Sequence, residues 1–287
     1  MDASPDTVPI RKSPSAMRGA PVRMRAMRAI AARAIAAGAA LTIGAVNDPS
    51  SGISEETFRR SVLACAIQLQ RDVAPEFSLP APTVVIMSPG DARPAGQHVG
   101  VISVVGEIPN DPTAQGFHTP LGSGDSFDGY VSTEGVDEGG FSECLSHELL
   151  EMLADPDCQT VYTAADGSKM PLEPGDPCQA GGPTPNAWRV PIDIGDGKGP
   201  VWVANFTTKA WGLVGDKSGA KKDFLGLMPV DVDFPILPFG YVAKTLPNGT
   251  QTDVFGPGGE LVKLPERKLH QECRVQVRLA EMRKEAA

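Results

Sequence analysis

Residues 140–156 read GFSECLSHELLEMLADP, and this stretch decides how the rest of the chain is read. Leu145, Leu149, Met152 and Leu153 recur at helical spacing, which predicts an amphipathic helix from about Gly140 to Ala154. Asp155-Pro156 ends it, because a residue before proline is driven out of the helical conformation. A helix turns about 100° per residue, so His147 and Glu151 lie one turn apart on a single face. Asp155, a further turn along, is expected to extend this polar stripe.

That spacing lets His147 and Glu151 reach one cation. Glu148 follows the first ligand, where a zinc-peptidase helix carries its general base. The usual second ligand is histidine, and here it is Glu151. A carboxylate is a harder donor than imidazole, acceptable to zinc and equally to manganese or iron. Downstream, Leu-Glu-Pro-Gly-Asp-Pro offers Glu173 and Asp176 as a third ligand from a loop. The competing reading is a helix that merely exposes His, Glu and Glu to solvent. His118, in Gly116-Phe117-His118-Thr119, is a further ligand or an oxyanion donor, or else a hydrogen-bonded loop histidine without catalytic duty. His98 and His270 have no metal-like setting.

Working outward, Leu41–Val46 is a strand candidate. Ser54 is an N-cap followed by Glu55 and Glu56, where the helix dipole favours negative charge. Phe58, Val62, Cys65 and Leu69 carry that helix to about Asp72. The apolar runs 83–88 and 99–108 are buried strands, 110–129 is a loop containing His118, and Gly129–Gly135 is a short edge strand. Residues 156–200 read as one long loop, 201–206 as a strand, and Phe234–Val242 with the turn Pro247-Asn248-Gly249 as a terminal β region. Residues 1–22 are expected to form an extended or disordered basic arm, with an Ala-rich helical segment up to residue 40. Residues 266–286 are an amphipathic helix. The expected division is therefore 1–40, 41–256 and 257–287.

The 287 residues carry a formal net charge of -9, which argues against general nucleic-acid binding. No phosphate loop, dinucleotide fingerprint or EF-hand spacing occurs, although Asp125, Asp128 and Asp137-Glu138 invite a weak calcium reading. Residues 29–46 are too short and too interrupted by Arg33 to span a bilayer, and they do not resemble a secretion signal. A soluble protein, cytoplasmic or virion-associated, is expected. Five cysteines show no metal-finger spacing, and their odd number argues against a disulfide framework. Cys158 and Cys178 flank one loop and would pair only in an oxidising setting; free thiols are the expectation.

Several segments, in order from Ile53 to Tyr241, resemble a poorly characterised group of bacterial and phage-encoded zincin-like proteins. They are ISEETFRRSVLACAIQLQRDVAPEF, the GFH loop, SHELLEMLADP, LEPGDPCQ, VWVANFTTKAW and FLGLMPVDVDFPILPFGY. The resemblance implies an α+β fold in which a twisted mixed sheet carries a packed helix, with a metal-site helix beneath an edge strand. It implies His147 and Glu151 as ligands of zinc or another divalent metal, Glu148 as base, and Glu173 or Asp176 as helpers. The Pro174-Gly175 pair is expected to loosen that part of the site. Two functions stay open: a metal-dependent hydrolase, most plausibly acting on peptides, and a virion structural or assembly protein with a vestigial or structural ion. In the second, the basic arm and the C-terminal helix would contact virion or homo-oligomer partners.

Overall fold

A computed structural model describes residues 40–257 apart from 97, 110, 112–113, 122–125 and 180–184. The basic arm, the Ala-rich segment and the terminal helix lie outside the described residues, as do Asp125, His270 and Cys273.

The main sheet has five strands: β1 (Thr42–Asn47), β2 (Thr83–Met87), β3 (Val99–Val105), β4 (Gly116–Leu121) and β5 (Ser126–Ser132). Their order is β2-β1-β3-β5-β4. The first three and β5 run parallel, and β4 returns antiparallel along the outside of β5. Parallel strands need a covered face, which is why β1 and β3 are built from Ile43, Ala45, Ile102 and Val104, all fully buried.

Two long helices supply the cover. Helix α1 (Glu55–Gln68) starts at Ser54, whose side chain accepts a hydrogen bond from the Thr57 amide. It runs on through a π-type turn, Leu69–Val73, into the short helix α2 (Ala74–Phe77). The helical run thus passes the expected end at Asp72 and takes in Pro75 in the first turn of α2. Helix α3 (Glu138–Ala154) is capped by Asp137, which accepts from the Gly140 amide at 2.7 Å. Phe58 and Val62 of α1, Leu69 of the π-type turn and Phe141, Leu145 and Leu149 of α3 belong to one buried core with the sheet. The helices are also joined by Gln68, which accepts from the Ser146 hydroxyl and donates to the Ala204 carbonyl at 2.6 Å.

Beyond α3 the chain departs from the expected loop. Residues 156–200 contain β6 (Val161–Thr163), β7 (Lys169–Pro171) and β8 (Arg189–Ile192). Strand β8 pairs with β9 (Val201–Ala204) as a hairpin, while β6 and β7 join β10 (Tyr241–Thr245) and β11 (Gln251–Phe255) in a second sheet, β11-β10-β7-β6. Three-residue strands bounded by Gly, Asp and Pro have too little periodicity to be seen in the sequence. Gly129–Gly135 is also corrected: its strand portion belongs to β5, which is flanked on both sides, and the edge is β4. Among the described residues no helix is long and apolar enough to cross a membrane.

Helix α3 is tied to the hairpin by a buried ion pair. Arg189 Nε and Nη2 each lie 2.6 Å from Glu143 Oε2. Truncating one partner of such a pair strands the other charge in a low-dielectric interior. Glu143→Ala is therefore expected to destabilise the fold by about 3–5 kcal/mol, read as a lower unfolding midpoint in urea. An unchanged midpoint would show that the pair does not anchor the helix.

Candidate metal centre

Two glycines allow the α3 face to meet its surroundings. A Cβ on Gly116 of β4 would lie 2.5 Å from Glu148 Oε1, and one on Gly175 would lie 2.7–2.8 Å from three ring atoms of His147. At both places the opposing backbone sits directly on a helix side chain, so any larger residue would have to displace that side chain. The Pro174-Gly175 pair does not loosen the site, as the sequence had led us to expect. It lets the following loop close over His147.

The loop after β7 is held firmly. Thr207 N donates to Pro174 O at 2.8 Å, Leu237 N to Pro177 O at 2.9 Å, and Cys178 N to Gly175 O at 2.9 Å. Asp176 is thereby fixed above the helix. Its Oδ1 lies 3.1 Å from His147 Nε2, and Glu151 Oε1 lies 3.3 Å from the same nitrogen. Donors around a tetrahedral zinc ion stand about 3.3 Å apart for bonds of about 2.0–2.1 Å. His147, Glu151 and Asp176 thus fit a shared cation. Glu151 is fully buried, whereas the His147 side chain keeps 12% of its surface open, so the group is reached from the His147 side.

On the inner side of Glu151 lies a second group. His118 Nδ1 is 3.6 Å from Glu148 Oε2 and 3.9 Å from Glu151 Oε2. His118 is therefore a buried residue of the edge strand, not of a loop. The other ring nitrogen, Nε2, lies 3.3 Å from the Asp155 carbonyl oxygen and 3.3 Å from Cys158 Sγ. The ligand atoms within each group, His147/Glu151/Asp176 and His118/Glu148/Glu151, lie within 4.8 Å of one another.

The remaining predicted residues stand elsewhere. Pro156 forces Asp155 out of the helix, at φ −145° and ψ 68°. Its carboxylate turns away from the stripe and accepts from the Thr160 amide at 2.8 Å and hydroxyl at 2.9 Å. Asp155 contributes its backbone carbonyl to His118, not a ligand. Glu173 is half-buried and belongs to neither group. The acids that invited a calcium reading are engaged locally: Asp128 pairs with Arg93, Asp137 caps α3, and Glu138 accepts from Thr57. Cys65, Cys144, Cys158 and Cys178 are free thiols, so the Cys158–Cys178 alternative falls away.

Tyr241 was not found by sequence reasoning. Its hydroxyl hydrogen-bonds Asp176, and burial together with the charges of Asp176, Glu151 and Glu148 pushes its pKa well above the usual phenol value. Only its position in the last matching segment marked it, and a lone tyrosine at a strand start carries no other signal.

The cluster holds protons tightly. Burial pulls the His147 pKa down, but Glu151 and Asp176 more than offset this and leave it well above 6.5. Burial and the Glu151 charge raise Asp176 to about 6, against the lowering effect of His147 and Tyr241. Burial raises Asp155 to about 7, and burial with the Asp176 charge raises Asp253 to about 6. Each pKa is higher folded than unfolded, so each group stabilises the fold fully below its unfolded pKa, and that stabilisation is gone above its folded one. The metal-free chain should therefore melt at a higher temperature at pH 5 than at pH 7.5, with zinc restoring the loss at pH 7.5 as it takes the place of protons. Calorimetry with and without a chelator checks this. A midpoint that rises from pH 5 to 7.5 without metal would contradict it.

No protein-family model, no curated protein and no solved structure matches this chain.

Proposed function

We propose that the chain is a zincin-like metal-dependent hydrolase that cuts peptide bonds, with one zinc or similar divalent ion held by His147, Glu151 and Asp176. The carrying observation is the convergence of His147 Nε2 on Glu151 Oε1 and Asp176 Oδ1 at 3.1–3.3 Å, on the accessible side of a helix whose next residue is Glu148. A bound cation supplies Lewis acidity, polarising a carbonyl and making a nearby water acidic.

The chain's own residues supply the rest. In this reading Glu148 accepts the proton of the attacking water and returns it to the leaving amine. His118 Nδ1 stands 3.6 Å from Glu148 Oε2. Tyr241 orients Asp176, as residues behind metal ligands commonly do. Strand β4 is the edge of the main sheet, so an extended peptide can pair along it and run past the cluster. Pro120 is tolerated in β4 for the same reason, since an edge strand need not donate from every residue. Two acidic ligands weaken the ion's Lewis acidity relative to imidazole, which favours a selective enzyme over a general protease.

The alternative, a virion or assembly protein, draws on the basic arm and the terminal segment. Both lie outside the described residues, and nothing among the described residues favours it over hydrolysis. The test is to incubate zinc-loaded protein with a diverse peptide mixture and follow new termini by mass spectrometry. Cleavage that stops on chelation and returns with zinc is expected. If metal-loaded protein leaves every peptide intact, hydrolysis is wrong even though the ion site stands.

A further inference from the structure

We propose that the cluster has a second cation position, formed by His118, Glu148 and Glu151, with the Glu151 carboxylate bridging it to the first. The proposal rests on the reading of His147, Glu151 and Asp176 as the first position. It assigns chemistry to a histidine and a carboxylate oxygen that a single ion at His147 does not use.

The two oxygens of Glu151 face different histidines. Oε1 lies 3.3 Å from His147 Nε2, and Oε2 lies 3.9 Å from His118 Nδ1. A carboxylate presented in this way between two nitrogen donors is the arrangement that spans a pair of ions about 3.5–4 Å apart.

The ring of His118 is oriented for ligation. Nε2 lies 3.3 Å from the Asp155 carbonyl oxygen and 3.3 Å from Cys158 Sγ, and the tautomer that donates Nε2–H to that carbonyl is the one suited to ligation through Nδ1. In the neutral ring Nδ1 then presents a lone pair towards the carboxylates of Glu148 and Glu151. Metal-bound histidines donate their other ring N–H to a carbonyl or carboxylate in this manner.

Glu148 gives an independent indication. The residue is 5% exposed, and its Oε2, which faces His118, accepts no hydrogen bond among the described residues. A buried carboxylate oxygen left so is costly without a counter-charge. The second group is also wider than the first, at 3.6 and 3.9 Å against 3.1 and 3.3 Å. Spacings of that size suit bonds of about 2.2–2.4 Å, longer than those of zinc. Manganese, an oxygen-preferring divalent ion that also accepts imidazole, suits both positions. Filling it converts Glu148 from proton acceptor to ligand, so turnover belongs to the state with the first ion alone.

The test is equilibrium dialysis of the full chain against manganese chloride, with bound metal counted by elemental mass spectrometry and the spin state followed by electron paramagnetic resonance. Wild type should bind two ions per chain, with the six-line signal broadened away by coupling across Glu151. His118→Ala and Asp176→Asn should each keep one ion and regain the six-line signal, and circular dichroism shows whether each is folded. One ion in the wild type that survives His118→Ala but not Asp176→Asn overturns the second position and leaves the hydrolase reading intact. One ion that survives Asp176→Asn but not His118→Ala overturns the bridged pair and the first position together. Two ions with an undisturbed six-line signal in the wild type overturn the bridge.

Discussion

Glu148→Gln is expected to retain the ion at His147, Glu151 and Asp176 and to lose peptide hydrolysis by about 10²–10⁴-fold, the usual worth of a positioned proton carrier. The two carboxylates of the helix differ in what surrounds them. Glu151 lies between both histidines and is fully buried, so its loss removes a ligand. Glu148 points to the inner wall between Gly116 and His118, where its neighbours are a backbone and one imidazole nitrogen. Glutamine preserves its shape and keeps one oxygen acceptor while removing the basicity. Turnover on a cleaved peptide, measured beside zinc content, separates the two roles. A variant that hydrolyses at the wild-type rate would take proton transfer away from Glu148.

Gly175→Ala is expected to weaken zinc binding by about 10–100-fold, although it changes no ligand atom. The added Cβ would lie 2.7 Å from His147 Nδ1 and 2.8 Å from two ring carbons, well inside contact distance. Relief requires either the ring or the loop to move. The loop is pinned by the hydrogen bonds from Thr207 and Leu237, so the ring yields and the spacing between His147 and Asp176 opens. Loss of ligand placement costs on the scale seen when the residues behind a metal ligand are removed. Gly116→Ala is the matching control: its Cβ meets Glu148 Oε1, so it should depress turnover with the zinc at His147 retained. Competition against a chromophoric chelator reads both. Equal zinc affinity in Gly175→Ala and wild type would show that close approach of the loop does not set the site.

The helix and the residues on its polar face were legible because a 3.6-residue period is written in every turn. His147, Glu148 and Glu151 follow from spacing alone, and the cap at Ser54 follows from local chemistry. Which downstream acid meets His147 was legible only as a pair, Glu173 or Asp176, and Asp176 is the one beside it. The choice between them depends on Thr207, Leu237 and Tyr241, which lie far along the chain. Asp155 was placed on the helical face by counting residues, but Pro156 acts one residue earlier than the count allows. Strand β4 was hidden because Gly116 and Pro120 are turn residues by composition, and an edge strand admits them. With β4 unseen, His118 was assigned to a loop and its approach to Glu148 had no basis in sequence. Short strands such as β6 and β7 owe their existence to pairing with each other and with β10, a tertiary effect with no local record.

The central claim is that a divalent ion sits on the face of α3. Its most direct test is elemental mass spectrometry of protein purified without chelators or a histidine tag, with Glu151→Ala prepared in parallel. At least one zinc, manganese or iron per chain in the wild type, and none in Glu151→Ala, is the expected result. Wild-type protein free of metal after zinc is added and excess removed, or a variant that binds as much as wild type, would contradict it.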